Sequence, residues 1–307
     1  MKRARPLYCA GLAETTALQR TAPRAALRTL ADAIELSKPR ITTMVAFTTA
    51  MGMWLAPGTM GAPRAVAVLA FTALLVGSAN VLNSFLEREV DARMRRTCHR
   101  PIPSGRIEPW SAFALGVVAA CFAVPGLVMV ANPLTAAIGL AAWVLYVMVY
   151  TPLKRVTPWA LELGTVPGAL PPLMGWTAVT GAVQGPGLAL FAIMVFWQLP
   201  HFLAITLYLD EDYARGGIRV WPLVRGPHAA RVRLALYTVA LVAASAWAAP
   251  LAGMAYAIVA IVLGGGFLVL ALRGLRPDAG APLARRTMLY SLVYLSVLFG
   301  VLVADAR

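Results

Sequence analysis

Apolar residues along this chain come in runs near the ~20 residues that a membrane-crossing helix needs, with short polar stretches between them. The pattern predicts nine runs, roughly Arg40–Leu55, Arg64–Leu86, Trp110–Ala131, Leu134–Tyr150, Pro158–Val179, Gly187–Leu209, Val232–Leu251, Met254–Leu272 and Arg286–Ala304. The fifth carries Glu162, Pro167, Pro171 and Pro172. It is expected to break or kink, because proline lacks the ladder N–H and crowds the preceding turn. The expected fold class is therefore an all-α polytopic membrane protein, nine transmembrane helices in one bundle.

The charges test this count, because Lys and Arg gather in the cytoplasmic loops of membrane proteins. Of the 27 Lys and Arg residues, all but Arg64 and Arg307 fall before the first run or after the second, fourth, sixth and eighth. Eight or ten runs would spoil the alternation. An N-terminus inside and a C-terminus outside follow. The chain is 60% hydrophobic and 13% charged, where a soluble domain has about a quarter of its residues charged. A net charge of +14 would point to nucleic acid in a soluble protein; here topology accounts for it, and no nucleic-acid partner is expected. Cys9, Cys98 and Cys121 have no paired spacing, so neither a disulfide framework nor a zinc site is indicated. Residues 1–37 read as a basic cytoplasmic tail ahead of a single intramembrane domain over 38–307. A transit peptide fits less well, because Glu14, Asp32 and Glu35 interrupt the basic composition.

The polar exceptions within this pattern carry the candidate chemistry. Asn83, Glu87 and Asp91 are spaced by four, which puts them on one stripe of a helix. Three oxygen-bearing side chains in such a stripe suit a hard cation such as Mg2+. A basic run follows at once, with Arg93, Arg95, Arg96, Arg100 and Arg106. Acidic stripe and basic loop together equip a site for a magnesium-chelated diphosphate. A second acidic group, Asp210, Glu211 and Asp212, ends the sixth run on the same side. His201 and Asp212 are eleven apart, close to three helical turns, and are expected to share a face. Lys154 and Arg155 are candidates to bind phosphate oxygens as a leaving group departs.

The stripe Asn83-x3-Glu87-x3-Asp91 followed by RRTCHRPIPSGRI resembles the first aspartate-rich motif of the UbiA intramembrane prenyltransferases. SKPR at Ser37–Arg40, YTPLKRVTP at Tyr150–Pro158, GALPPLMGW at Gly168–Trp176, WQLPHF at Trp197–Phe202 and DYARGGI at Asp212–Ile218 follow the same family's order. PPLMGW together with WQLPHF points to its haem-modifying branch. Glu87 stands where many members have Asp, and still offers a carboxylate. The resemblance implies farnesyl transfer from farnesyl diphosphate to a vinyl group of haem B, with water added, giving haem O and diphosphate. It implies Asn83, Glu87, Asp91 and Asp212 as metal-binding and catalytic groups for Mg2+, with Lys154 beside them. Lys38, Arg40, Arg96, Arg100, Arg155, Asp210 and His201 are implied as substrate contacts, His201 toward the haem. Haem A synthase is a partner by family only, and the expected location is a bacterial inner membrane, ahead of a mitochondrial one. Two other readings stay open: a prenyltransferase of the same fold acting on a quinone precursor or a chlorin, and a cation-coupled transporter. The basic loop beside the acids favours diphosphate chemistry over transport.

Overall fold

The structure, a computed structural model, describes residues 30–306; the predicted tail therefore lies outside the described residues except for its last positions. Residues 30–36 are helical. Ten helices follow: α1 Pro39–Leu55, α2 Ala62–Asp91, α3 Pro109–Val130, α4 Pro133–Leu153, α5 Ala160–Thr180, α6 Gly185–Tyr208, the short α7 Asp210–Gly216, α8 Trp221–Trp247, α9 Met254–Arg273 and α10 Ala281–Ala304. Among the described residues there is no strand. Prolines open most of the long helices, at the first turn where the missing N–H would have no partner anyway. Side-chain caps add to this, Glu108 accepting from the Ser111 N–H at 2.6 Å and Asn132 from the Thr135 N–H at 2.8 Å.

Seven of the helices (α2, α3, α4, α6, α8, α9 and α10) are long and apolar enough to cross a membrane. The set leaves out α1, which has 17 residues, and α5, which Glu162 and three prolines make less apolar. The chain is thus all-helical and of multi-pass membrane type.

Four local expectations are corrected. The second run does not stop at Leu86 but continues as helix to Asp91, so the whole stripe is helical. The fifth run is not broken: α5 is continuous through Pro167, Pro171 and Pro172. Close backbone packing holds it against α1. A Cβ at Gly52 would lie 2.0 Å from the Pro172 carbonyl oxygen, and one at Gly175 would lie 1.9 Å from that of Thr49. Only glycine permits this approach. The sixth run ends at Tyr208, where Leu209 leaves helical geometry with φ −117° and ψ 30°; His201 and Asp212 therefore sit on different helices and share no face. The seventh run begins as helix at Trp221 rather than Val232, with a break at Gly226 (φ 83°, ψ 159°), a conformation that favours glycine.

Two apolar clusters hold the bundle. One joins α5, α6, α8, α9 and α10 around Trp176, Tyr256, Phe267, Tyr294 and Phe299. The other joins α2, α3, α4 and α5 around Leu75, Ala123, Leu127 and Met174. The connections α2–α3, α4–α5 and α6–α8 meet at one end. Val90 and Met94 pack with Tyr213, Ile218 and Val220, and the Arg219 N–H donates to the Lys154 carbonyl at 3.2 Å.

Candidate active site

The last three turns of α2 carry the stripe to that end. Asn83, Glu87 and Asp91 are 1%, 5% and 4% exposed, so the helix end is not a solvated terminus. Buried carboxylates need partners, and the converging loops supply them. Lys38 donates to the Asn83 Oδ1 at 2.7 Å. The Lys154 ammonium pairs with the Glu87 carboxylate. Arg100 donates to the Asp91 Oδ2 at 2.8 Å, and the Thr97 hydroxyl donates to the Asp91 backbone carbonyl at 2.9 Å. The Arg155 guanidinium lies next to the stripe but donates to the Leu86 carbonyl at 2.8 Å. Arg96 is exposed, within electrostatic reach of Lys38.

The local backbone explains two of these placements. Lys38 precedes Pro39 in the left-handed region, φ 52° and ψ 68°, and is the only described non-glycine residue with positive φ. A non-glycine residue there stores strain that its surroundings must hold; the bond from Lys38 to Asn83 is such a hold. In α4, residues Leu145–Tyr150 form a π-helical turn, a rare geometry that marks functional sites. It ends at Thr151, whose hydroxyl donates to the Tyr146 carbonyl at 2.8 Å and accepts from the Asn83 amide at 3.0 Å. Pro152 follows, so a regular ladder would have lost a donor there in any case.

The electrostatic balance at this end is positive. Burial pushes the Lys38 ammonium down to about 7; Arg100 and Arg96 push the same way, and Asp91 opposes them. Lys154 is pushed well below its ordinary range, by burial first and then by Lys38 and Arg155. An arriving anion favours the charged form of crowded, desolvated cations of this kind. Beside them an apolar slot of about 100 Å³ runs between α1, α2, α4 and α5, walled by Val45, Leu75, Trp143, Pro171 and Met174. Asn80 and Tyr146 also line it, one turn from Asn83 and Thr151.

Other predicted residues lie apart from the stripe. Asp212 is buried, on the first turn of α7, and accepts from Arg215 at 3.3 Å. Asp210 is exposed and accepts from the Glu211 N–H at 2.8 Å. Arg40 is exposed on the first turn of α1. His201 sits in the core between α6 and α10, its Nδ1 2.6 Å from the Ser291 hydroxyl and its ring stacked on Trp197 at 4.9 Å. Among the described residues no three His, Cys, Asp or Glu side chains converge as a metal cage.

Three contacts go beyond what spacing along the chain shows. Thr151 was legible only through the proline after it. Asp32 and Glu35 bind Arg106 at 2.5 and 2.8 Å, which ties residues 30–36 to the basic loop. Glu162 accepts from Trp221 at 3.0 Å, Tyr237 at 3.1 Å and Arg233 at 3.3 Å, while the Arg233 guanidinium stacks on Trp221 at 3.6 Å and Trp159 at 4.4 Å.

Comparison with known proteins bears on the family and the fold. The model of the UbiA prenyltransferase family matches residues 45–293. A protein named protoheme IX farnesyltransferase from Anaeromyxobacter dehalogenans (strain 2CP-C) is 52% identical over 286 residues, 92% of this chain and 96% of that protein. A protein of the same name from Myxococcus xanthus (strain DK1622) is 48% identical over 276 residues, 89% of this chain and 94% of that one. Among solved structures, a digeranylgeranylglyceryl phosphate synthase superposes with a TM-score of 0.78 at 14% identity, covering 91% of this chain and 98% of that one. A UbiA homologue from Archaeoglobus fulgidus bound to GPP and Mg2+ superposes at 0.61 with 16% identity, covering 88% and 99%. These two carry the fold alone. From the extent of the family match and the near-complete coverage of its sequence relatives, the chain belongs to the UbiA prenyltransferase family.

Proposed function

We propose that the chain transfers the farnesyl group of farnesyl diphosphate, with addition of water, to a vinyl group of haem B, giving haem O and diphosphate. The observation that carries this reading is identity of 52% across 92% of the chain to a relative named for that reaction. The site supports it: a diphosphate needs several cations in one dry place, and Lys38, Lys154 and Arg100 converge on the stripe.

The donor set fits Mg2+. Its ligands would all be oxygen atoms, and Mg2+ is commonly held by one or two carboxylates plus substrate phosphates rather than by a protein cage. Glu87 and Asp91, with Asn83, would hold it together with the diphosphate, and Asp212 is the proposed donor from the opposite loop. When bound, the metal neutralises charge growing on the leaving oxygens. Lys154 and Arg100 are proposed to exchange carboxylate partners for diphosphate oxygens, and Lys38 donates from the other side. Arg96 and Arg155 add positive charge at the entrance. The slot walls exclude water from the allylic carbon while the bond to oxygen breaks, so the vinyl group attacks first and water is admitted afterwards. The bond between His201 and Ser291 favours a packing role for His201 over a haem contact.

We count α1 and α5 as membrane spans with the other seven helices. Nine spans, with the charge alternation, put the stripe on the cytoplasmic side of a bacterial inner membrane. The test is direct: membranes containing the protein receive haem B, farnesyl diphosphate and Mg2+, and the haems are analysed by mass. A product carrying farnesyl plus water, lost with EDTA, is expected. Release of diphosphate only with an aromatic acceptor would overturn the haem assignment and keep the reaction class.

A further inference from the structure

A second cavity, about 240 Å³, lies away from the carboxylate stripe. The end of α6, the start of α8 and the α9–α10 connection enclose it. The break at Gly226 separates the first turn of α8 from the rest, and Pro222 and Pro227 line the cavity on either side of it. Most of the wall is apolar, Leu207, Leu234 and Leu270 among it.

Two charged side chains of opposite sign line this wall, Asp210 and Arg231, and among the described residues neither has an ion pair. Arg231 donates one N–H to the Ala279 carbonyl; a guanidinium has five. Asp210 uses one oxygen to accept from the Glu211 N–H. An acid and a base left unpaired over an apolar floor suit a ligand that carries both charges on a short tether, with an apolar remainder. The cavity lies at the end of α9 and the start of α10, where a bilayer has its head groups, and the exposed outer faces of α9 are apolar, with Ile261 73% exposed. Exposed Arg273, Arg276, Arg285 and Arg286 around the connection favour phosphate.

We propose that this cavity binds the head group of a phosphatidylethanolamine-type lipid, its phosphate on Arg231 and its ammonium on Asp210. The proposal does not rest on the proposed haem chemistry. Because Asp210 opens α7, an occupied site would also hold the helix that carries Asp212.

The experiment uses the full-length protein, purified in detergent, stripped of lipid and titrated with dioleoyl phosphatidylethanolamine, phosphatidylcholine and phosphatidylglycerol under native mass spectrometry. Phosphatidylcholine keeps the phosphate but has no ammonium N–H to donate, and phosphatidylglycerol has no cation. Phosphatidylethanolamine is expected to bind about tenfold tighter than either, the scale of one charge-assisted hydrogen bond. Asp210→Asn, which keeps the acceptor for the Glu211 N–H, is expected to erase that preference. Arg231→Gln is expected to weaken all three lipids. Equal binding of the ethanolamine and choline lipids, tighter binding of phosphatidylglycerol, or an undiminished preference in Asp210→Asn would each overturn the proposal. The Asp210→Asn arm decides the matter even where Arg231→Gln fails to fold.

Discussion

A buried and a half-buried acidic region sit at the same end of the bundle, and they differ in how their charge is closed. At the end of α2, Glu87 and Asp91 face Lys154 and Arg100, and Lys38 adds a further cation that has only an amide for its partner. On α5, Glu162 faces a single Arg233, and its carboxylate also takes the indole N–H of Trp221 and the hydroxyl of Tyr237. Aromatic rings cover that arginine on both sides. The second cluster is neutral and saturated, so it has nothing left to offer a ligand. The first carries surplus positive charge next to an apolar slot, so an anion with an apolar tail improves it. A buried charge pair alone is weak evidence for function; surplus charge beside a slot is better evidence.

The contrast breaks if the α2 cluster is merely structural. Glu87→Gln, Asp91→Asn and Asp212→Asn are expected to lower farnesyl transfer by at least about 10²-fold, and chelation by EDTA to stop it until Mg2+ is restored. Near-normal turnover in any one of the three variants would remove that residue from the site. A smaller effect is expected for Lys154→Met and Arg100→Gln, about 10- to 10²-fold in kcat/KM for farnesyl diphosphate. Steady-state kinetics with varied diphosphate checks this; unchanged values would return both cations to loop packing. The saturated cluster should answer in stability instead. Glu162→Gln leaves Arg233 without its counter-charge and is expected to cost about 1–3 kcal/mol, read as a lower Tm in detergent, with kcat/KM reduced less than about tenfold. Turnover falling as far as in Asp91→Asn would erase the distinction. The smallest change sharpens it: Tyr237→Phe removes one donor to Glu162 and is expected to cost about 0.5–1.5 kcal/mol, with turnover unchanged.

Much of this is legible in the sequence. The stripe follows from spacing by four and α-helical periodicity, and the helix indeed carries all three residues. The basic loop was visible by density of Arg, but which Arg meets which acid was not. Arg100 reaches Asp91 because residues 92–108 fold back in turns over the helix end. Arg155, an equal candidate beside Lys154, caps the backbone of Leu86 instead. The spacing between His201 and Asp212 misled, because a shared face requires one continuous helix and Leu209 ends it. Three prolines misled in α5, where Gly52 and Gly175 allow contact with α1 close enough to hold the helix together.

Local and periodic quantities were therefore settled by the chain alone: which segments are apolar, on which stripe the acids fall, and in which connections the positive charge collects. These depend on residue type and on distances along one helix. Pairings between segments were decided by the tertiary structure: Lys38 with Asn83, Lys154 with Glu87, Glu162 with its aromatic cage, and Asp210 on the wall of a cavity that Asp212 does not line. Such pairings join residues as much as 75 positions apart. They depend on how helices pack and where the connections fold back, which the order of apolar and polar residues does not encode.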